Sequence, residues 1–204
     1  MKNLLKLLGL AAATVVFASC ATVDRDHHVI VSLRDQRLAL LQKGNLIATY
    51  PVSTSKFAIG DWPGSRGTPL GELEIAQKIG AGLPPGTVLK DRRPTGEILV
   101  PDAPGRDPIV TRILWLRGLE AQNANAYSRY IYIHGTAEER NIGRPASYGC
   151  VRMRSHDVVQ LFDVVGRGAR VSIVDSPLEQ YVPSLASHDP PVPTNAPKAA
   201  MVIR

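Results

Sequence analysis

The chain has 204 residues, 44% of them apolar and 21% charged. This is length for one ordinary domain with tails, at a composition near the soluble globular average, and it speaks against wholesale disorder, a collagen-like fibre or a multispan membrane protein. The formal charge is +6; setting aside Lys2 and Lys6 leaves 22 basic residues against 18 acidic ones, spread without runs. Such a mild excess suits an anionic cell envelope and argues against a nucleic-acid partner.

In chain order, Lys2 and Lys6, the apolar run from Leu7 to Phe17 and the small Ala18 and Ser19 have the charged, hydrophobic and cleavage regions of a secretory signal. The run is too short to span a bilayer, which takes about 20 apolar residues. Its end, Phe17-Ala18-Ser19-Cys20, resembles a bacterial lipobox. That resemblance implies cleavage before Cys20, a diacylglyceryl group on it, and attachment to a membrane at the periplasmic side of the envelope. Ala21, where aspartate would suggest inner-membrane retention, points to the outer membrane. The alternative is an ordinary signal peptide cut a few residues later, with Cys20 discarded. Residues 20–27 form a short linker. With Cys20 acylated, Cys150 is a lone thiol in an oxidising compartment, either reactive or a buried structural cysteine.

Residues 28–33, 38–42 and 46–53 are short β-runs, the last two joined by the turn at 43–45, in a hairpin pattern. Residues 58–71 read as a loop and 72–79 as a strand. Residues 83–108 hold six of the sixteen prolines and form an extended insertion with one strand at 97–100, a candidate lid. Strands follow at 109–116 and 130–134, rich in β-branched and aromatic residues. One amphipathic helix is expected from Ser155, as N-cap, to Val165, with Val158, Val159, Leu161 and Phe162 on its stripe and Gly166 and Gly168 stopping it. A closing strand spans 170–174, and the prolines from Ser176 onward predict a disordered tail. The fold expected is mainly β, a curved sheet or sandwich with one main helix over residues 28–175.

In Tyr130-Ile131-Tyr132-Ile133-His134-Gly135-Thr136, a period of two puts Tyr130, Tyr132 and His134 on one face and both isoleucines on the other, with His134 ending the strand at a loop. Tyr132 then lines a cleft or packs in the core. Sixteen residues after His134 comes Cys150, in Ser147-Tyr148-Gly149-Cys150-Val151-Arg152, and closing a loop of that size costs roughly 2.5 kcal/mol plus a constant. A thiol of pKa near 8.5 needs roughly 3.4 kcal/mol of differential stabilisation to reach about 6, the scale of effect an adjacent imidazole supplies. Gly149 lets backbone N–H groups approach a substrate oxygen, and Arg152 offers a fork of donors to a carboxylate. Each has a plainer reading: Gly149 as a turn, Arg152 as a solvated charge, His134 as a satisfied core histidine. Together they compose a nucleophile, a base, an oxyanion donor and a carboxylate clamp.

His134-Gly135-Thr136, the spacer, and Ser147 to Arg152 resemble the signature of the L,D-transpeptidase catalytic domain, or YkuD domain. The similarity extends to Tyr50-Pro51-Val52-Ser53-Thr54, to Thr68-Pro69-Leu70-Gly71 and to Val171-Ser172-Ile173-Val174, covering about residues 28–175. It implies a β-sandwich in which Cys150 attacks the carbonyl of the L-centre of diaminopimelate in a peptidoglycan tetrapeptide stem. The terminal D-alanine leaves, and an amine of a second stem takes the thioester to form a 3,3 cross-link. His134 acts as base and then acid, oriented by a backbone carbonyl near Gly135. Gly149 and Cys150 donate oxyanion N–H groups, and Ser147 and Arg152 shape the pocket. The family has histidine where this chain has Tyr148, whose phenol still donates a hydrogen bond and bears on substrate contacts, thiolate stability or acceptor choice. No cofactor is implied, and a monomer is expected.

Water as acceptor gives an L,D-carboxypeptidase, and a protein lysine gives attachment to murein. A non-catalytic murein-binding lipoprotein is the alternative outside enzymes. Papain-like and NlpC-type peptidases place Cys before His, and sortases separate His from Cys by a longer stretch. No zinc-peptidase pattern occurs among the five histidines, of which His27, His28, His156 and His188 are expected to be solvated. Thr68 to Gly71 reads as a turn or as groove lining.

Overall fold

The structure is a computed structural model that describes residues 23–188. The signal-like segment, Cys20 and the last sixteen residues lie outside the described residues. The chain opens with a meander of β1 (His27–Ser32), β2 (Arg37–Gln42) and β3 (Asn45–Pro51). A long loop leads to β4 (Gly71–Ile79), the hairpin β5 (Thr87–Lys90) and β6 (Arg93–Ile98), then β7 (Ile109–Gly118) and β8 (Tyr132–Thr136). After β9 (Val151–Met153) come helix α1 (Ser155–Val164) and β10 (Arg170–Val174).

The sheet runs β3-β2-β1-β10-β4-β7. Ile113, Leu114 and Trp115 of β7 pair with β4 on one edge and β8 on the other, and β9 lies parallel beyond β8. Just after β3, Ser53 exchanges backbone hydrogen bonds with Arg152 of β9, 2.9 and 2.8 Å long. The two ends of the sheet therefore meet. The expected mainly-β architecture holds, its two layers being the opposed walls of one sheet curled upon itself. Strand alternation sends Val31, Leu40, Ile75, Leu116, Ile133 and Val151 inward, where Leu161 and Phe162 of α1 meet them.

Several local expectations need correction. The insertion holds two paired strands, not one at 97–100, because Asp91 and Arg92 both take left-handed backbone conformations (φ 49° and 66°) and turn the chain tightly. Strand β8 begins at Tyr132, since Tyr130 sits in a turn at φ 59°, and His134 lies inside the strand instead of ending it. Arg154, not Ser155, is the N-cap of α1. The Ser155 hydroxyl instead meets Thr111 Oγ1 at 2.8 Å, and the Ser155 N–H donates to Glu139 Oε1 at 2.8 Å, which satisfies a donor of the first turn.

The tail expected to be disordered from Ser176 is ordered as far as His188 in two 3-10 segments, Leu178–Gln180 and Pro183–His188. Leu178 and Val182 bury against Ile30, Ala39 and Leu41 on the outer face of β1 and β2. That face is apolar and needs a cover, which outweighs the proline content. His27 and His28 are not solvated: His27 Nδ1 meets Asp24 Oδ2 at 2.9 Å, and His28 Nε2 meets Ser172 Oγ at 2.7 Å.

Candidate active site

Strands β8 and β9 run side by side in parallel, with Ile133 opposite Val151 and His134 opposite Arg152. Register partners on neighbouring strands share a face, so the pair Ile133 and Val151 goes into the core and His134 and Arg152 go to the opposite face. Cys150, one residue before Val151, comes beside Tyr132 on that same face and packs on the cluster of Leu89, Ile113, Trp115 and Tyr132. Adjacent strands about 4.8 Å apart and an offset of two residues put the Cys150 and His134 Cα atoms roughly 8 Å apart, with both side chains on one face. The chain brings together the two groups that the spacing selects.

His134 is 5% exposed, and its Nδ1 lies 2.8 Å from the Gly135 carbonyl oxygen. A carbonyl only accepts, so Nδ1 carries the proton and Nε2 is left as the base. Burial lowers the imidazole pKa from 6.5 to about 4; the Gly135 hydrogen bond and Asp107 raise it, and the nearby Arg152 charge lowers it further. Cys150 is half-buried, with Sγ 3.4 Å from the Tyr130 carbonyl. Burial pushes its thiol up, against a backbone hydrogen bond at Tyr132 and the charges of Arg152 and Arg129. This departs from the thiolate-favouring shift the sequence suggests. The resting pair is a neutral thiol and a neutral imidazole with Nε2 unprotonated.

Gly135 is required by space. A Cβ there would stand 2.6 Å from the Val110 carbonyl oxygen and 3.1 Å from Thr111 Cβ, a neighbour itself held at φ 72° in a bulge of β7. Gly135→Ala must move the backbone that carries the carbonyl holding His134. We expect destabilisation of ~1–3 kcal/mol and a fall in kcat of ~100-fold, read from urea unfolding and steady-state turnover.

The turn before Cys150 is built from within. Ser147 is buried; its hydroxyl donates to the Cys150 carbonyl at 2.6 Å, and the Gly149 N–H points back to Ser147 Oγ at 3.2 Å. The oxyanion donor expected of Gly149 is therefore already engaged. Gly149 has φ 123°, and a Cβ on it would press on the Gly67 carbonyl at 3.0 Å, so the turn needs glycine. Thr68 Oγ1 donates to the Gly149 carbonyl at 2.9 Å, which gives the Thr68 to Gly71 segment a structural role behind the site.

Arg152 is not an open carboxylate clamp. Its Nη1 is 2.8 Å from Asp107 Oδ2 and 3.9 Å from Glu138 Oε2, so the protein's own carboxylates occupy it. Asp107 also accepts from Thr136 Oγ1 at 2.6 Å. Tyr148 is 56% exposed and lies against Phe57, ring centroids 5.0 Å apart, with Lys56 and Arg66 over its face. Tyr148 and Arg152, on either side of Cys150 in the chain, line an open basin of ≈ 610 Å³ together with Lys56, Asp107, Glu138 and Arg144. Tyr132 is buried edge-on to Trp115, ring centroids 5.5 Å apart, so it packs in the small cluster and borders Cys150 at once.

Asp107, Glu138, Arg129 and Arg92 carry no motif and went unselected from sequence. Arg129 is held by Asp61 Oδ1 at 2.6 Å and donates to the Gly67 carbonyl at 2.9 Å, tying the loop before β4 to the segment before β8. Among the described residues, no group of three or more His, Cys, Asp or Glu is placed to hold a metal.

A buried, neutral histidine fixed by its own strand and a cysteine at the entry to the adjoining one define a cysteine acyl-transfer site on a curled β-sheet. The model of the L,D-transpeptidase catalytic domain, YkuD, matches residues 26–173, and the chain belongs to that family. It is 32% identical over 150 residues to "Putative L,D-transpeptidase YqjB" of Bacillus subtilis (strain 168), covering 74% of this chain and 72% of the relative. It is 28% identical over 147 residues to "Putative L,D-transpeptidase YkuD" of Bacillus licheniformis, covering 72% of this chain and 65% of the relative, so it spans about two thirds of that protein's length. Among solved structures, LD transpeptidase LdtMt1 in complex with imipenem aligns with a TM-score of 0.46 at 20% identity, over 73% of this chain and 59% of that one.

Proposed function

We propose that the protein is a peptidoglycan L,D-transpeptidase. Cys150 gives its proton to His134 Nε2 and attacks the carbonyl of the L-centre of diaminopimelate in a tetrapeptide stem. The bond to the terminal D-alanine breaks, its amine takes the proton from His134, and a thioester on Cys150 remains. An amine of a second stem, deprotonated by the same Nε2, attacks the thioester, releases Cys150 as a thiol and leaves a 3,3 cross-link. The observation that carries this reading is the Nδ1 contact of His134 with the Gly135 carbonyl, because it leaves Nε2 free as a base on the face of Cys150. With Gly149 engaged, the oxyanion donor is the N–H of Cys150 itself.

Incubation with tetrapeptide muropeptides tests it: cross-linked dimers are expected, tripeptide monomers would make water the acceptor, and unchanged substrate would overturn the reading. Supported by Phe17-Ala18-Ser19-Cys20, we infer further that Cys20 carries lipid and fixes the domain to a membrane at the periplasmic side of the envelope. Mass spectrometry of the mature N-terminal peptide is expected to find diacylglyceryl on Cys20; an unmodified N-terminus downstream of it would exclude the anchor.

A further inference from the structure

Resting on that function, we propose that Arg92, at the tip of the β5–β6 hairpin, binds a carboxylate of the stem peptide beside Cys150 and makes the site selective for that acid. The hairpin is rooted on the Cys150 face: Val88 pairs with Val110 of β7, and Leu89 is buried in the cluster on which Cys150 packs. The left-handed turn at Asp91 and Arg92 then bends the tip back over the sheet. There the Arg92 guanidinium stands 5.1 Å from the ring centre of Trp115 and 5.2 Å from that of Tyr130, and it meets the Tyr132 hydroxyl.

Tyr130 links this cation to the nucleophile. Its ring lies under Arg92 while its carbonyl oxygen is 3.4 Å from Cys150 Sγ, and half of the residue is open to solvent. A guanidinium packed on aromatic rings uses its faces and keeps N–H groups at its edge for a planar anion.

The two arginines whose charge acts on Cys150 are already taken. Arg152 is held by Asp107 and Glu138, and Arg129 by Asp61. Arg92, by contrast, makes no ion pair among the described residues. It precedes an exposed Arg93 and follows an exposed Lys90 and Asp91; the Asp91 charge acts on it without forming an ion pair. An arginine held by three aromatic side chains and in ion-pair contact with no carboxylate is a preformed half of a charge-assisted pair. The stem peptide supplies the other half, having acids at its terminal D-alanine, at diaminopimelate and at D-glutamate.

The test measures binding, so that it reads Arg92 apart from turnover. In the Cys150→Ala protein, titration calorimetry follows synthetic tetrapeptide stem as the free acid and as three forms amidated in turn at each carboxylate. Arg92→Gln is expected to weaken the free acid by ~10-fold and to leave one amidated form binding both proteins equally, which names the carboxylate. Arg92→Lys, keeping charge without the fork, is expected to fall between them. Equal weakening of all four ligands, no weakening, or no binding of any stem to the Cys150→Ala protein overturns the proposal. A wild-type protein that binds these stems yet forms neither dimer nor tripeptide would end the transpeptidase reading and leave the Arg92 result standing.

Discussion

Replacing Cys150 with serine is expected to lower kcat by on the order of 10⁶, the scale for removing a nucleophile that works as a unit with its base. The near-isosteric hydroxyl keeps the packing on Tyr132 and Trp115, so thermal stability should change little. The loss is large because the site holds its nucleophile neutral at rest and relies on His134 to take the proton. A thiol gives that proton up far more readily than an alcohol. Turnover of tetrapeptide stem checks it, together with mass spectrometry for a thioester adduct in the wild type that the variant lacks. Residual activity within about tenfold of wild type would place the nucleophile elsewhere.

His134→Gln is expected to cut kcat/KM by ~10²–10⁴-fold, the usual contribution of a positioned general base. The amide is close to the imidazole in volume but cannot take a proton. Two pH signatures accompany the loss. With the imidazole pKa near 4, the wild type keeps its base unprotonated through mildly acid solution, so the acid limb of kcat/KM should fall near pH 4 and not between 6 and 7. For stability, the folded pKa lies below the unfolded value, so between pH 6.5 and about 4 the unfolded chain binds more protons. Stability contributed by the neutral imidazole is complete above pH 6.5 and is lost as pH falls through that window, by ~3 kcal/mol in all. Urea unfolding at pH 7 and pH 4 should show the wild type losing about that much more than His134→Gln. Equal losses would mean that His134 is not buried in its neutral form.

Much of the site was legible in sequence because its central residues sit in short, patterned strands. The alternation around His134 put it on the face opposite Ile131 and Ile133, and the glycine turn marked the approach to Cys150. Parallel pairing of β8 and β9 was not legible, since strand neighbours separated by a loop leave no local trace. The roles of Asp107 and Glu138 were hidden for the same reason: each is an ordinary acid in an irregular segment until Arg152 arrives from another strand. Arg152 itself was misjudged because a charge three residues from a helix says nothing about which carboxylate it will meet. The hairpin at 87–98 was missed because its turn uses Asp91-Arg92, without the glycine that usually announces such a turn. Prolines misled at the other end, where Leu178 and Val182 are drawn down by apolar side chains far upstream.

The side-by-side placement of β8 and β9 has a consequence for inheritance and engineering. Slippage of one strand past the other by a single residue would rotate either the sulfur or the imidazole into the oily interior while sparing most of the backbone ladder. Catalysis is thus a stricter gauge of correct alignment than any melting curve: variants that loosen this seam should lose turnover well before they lose their fold.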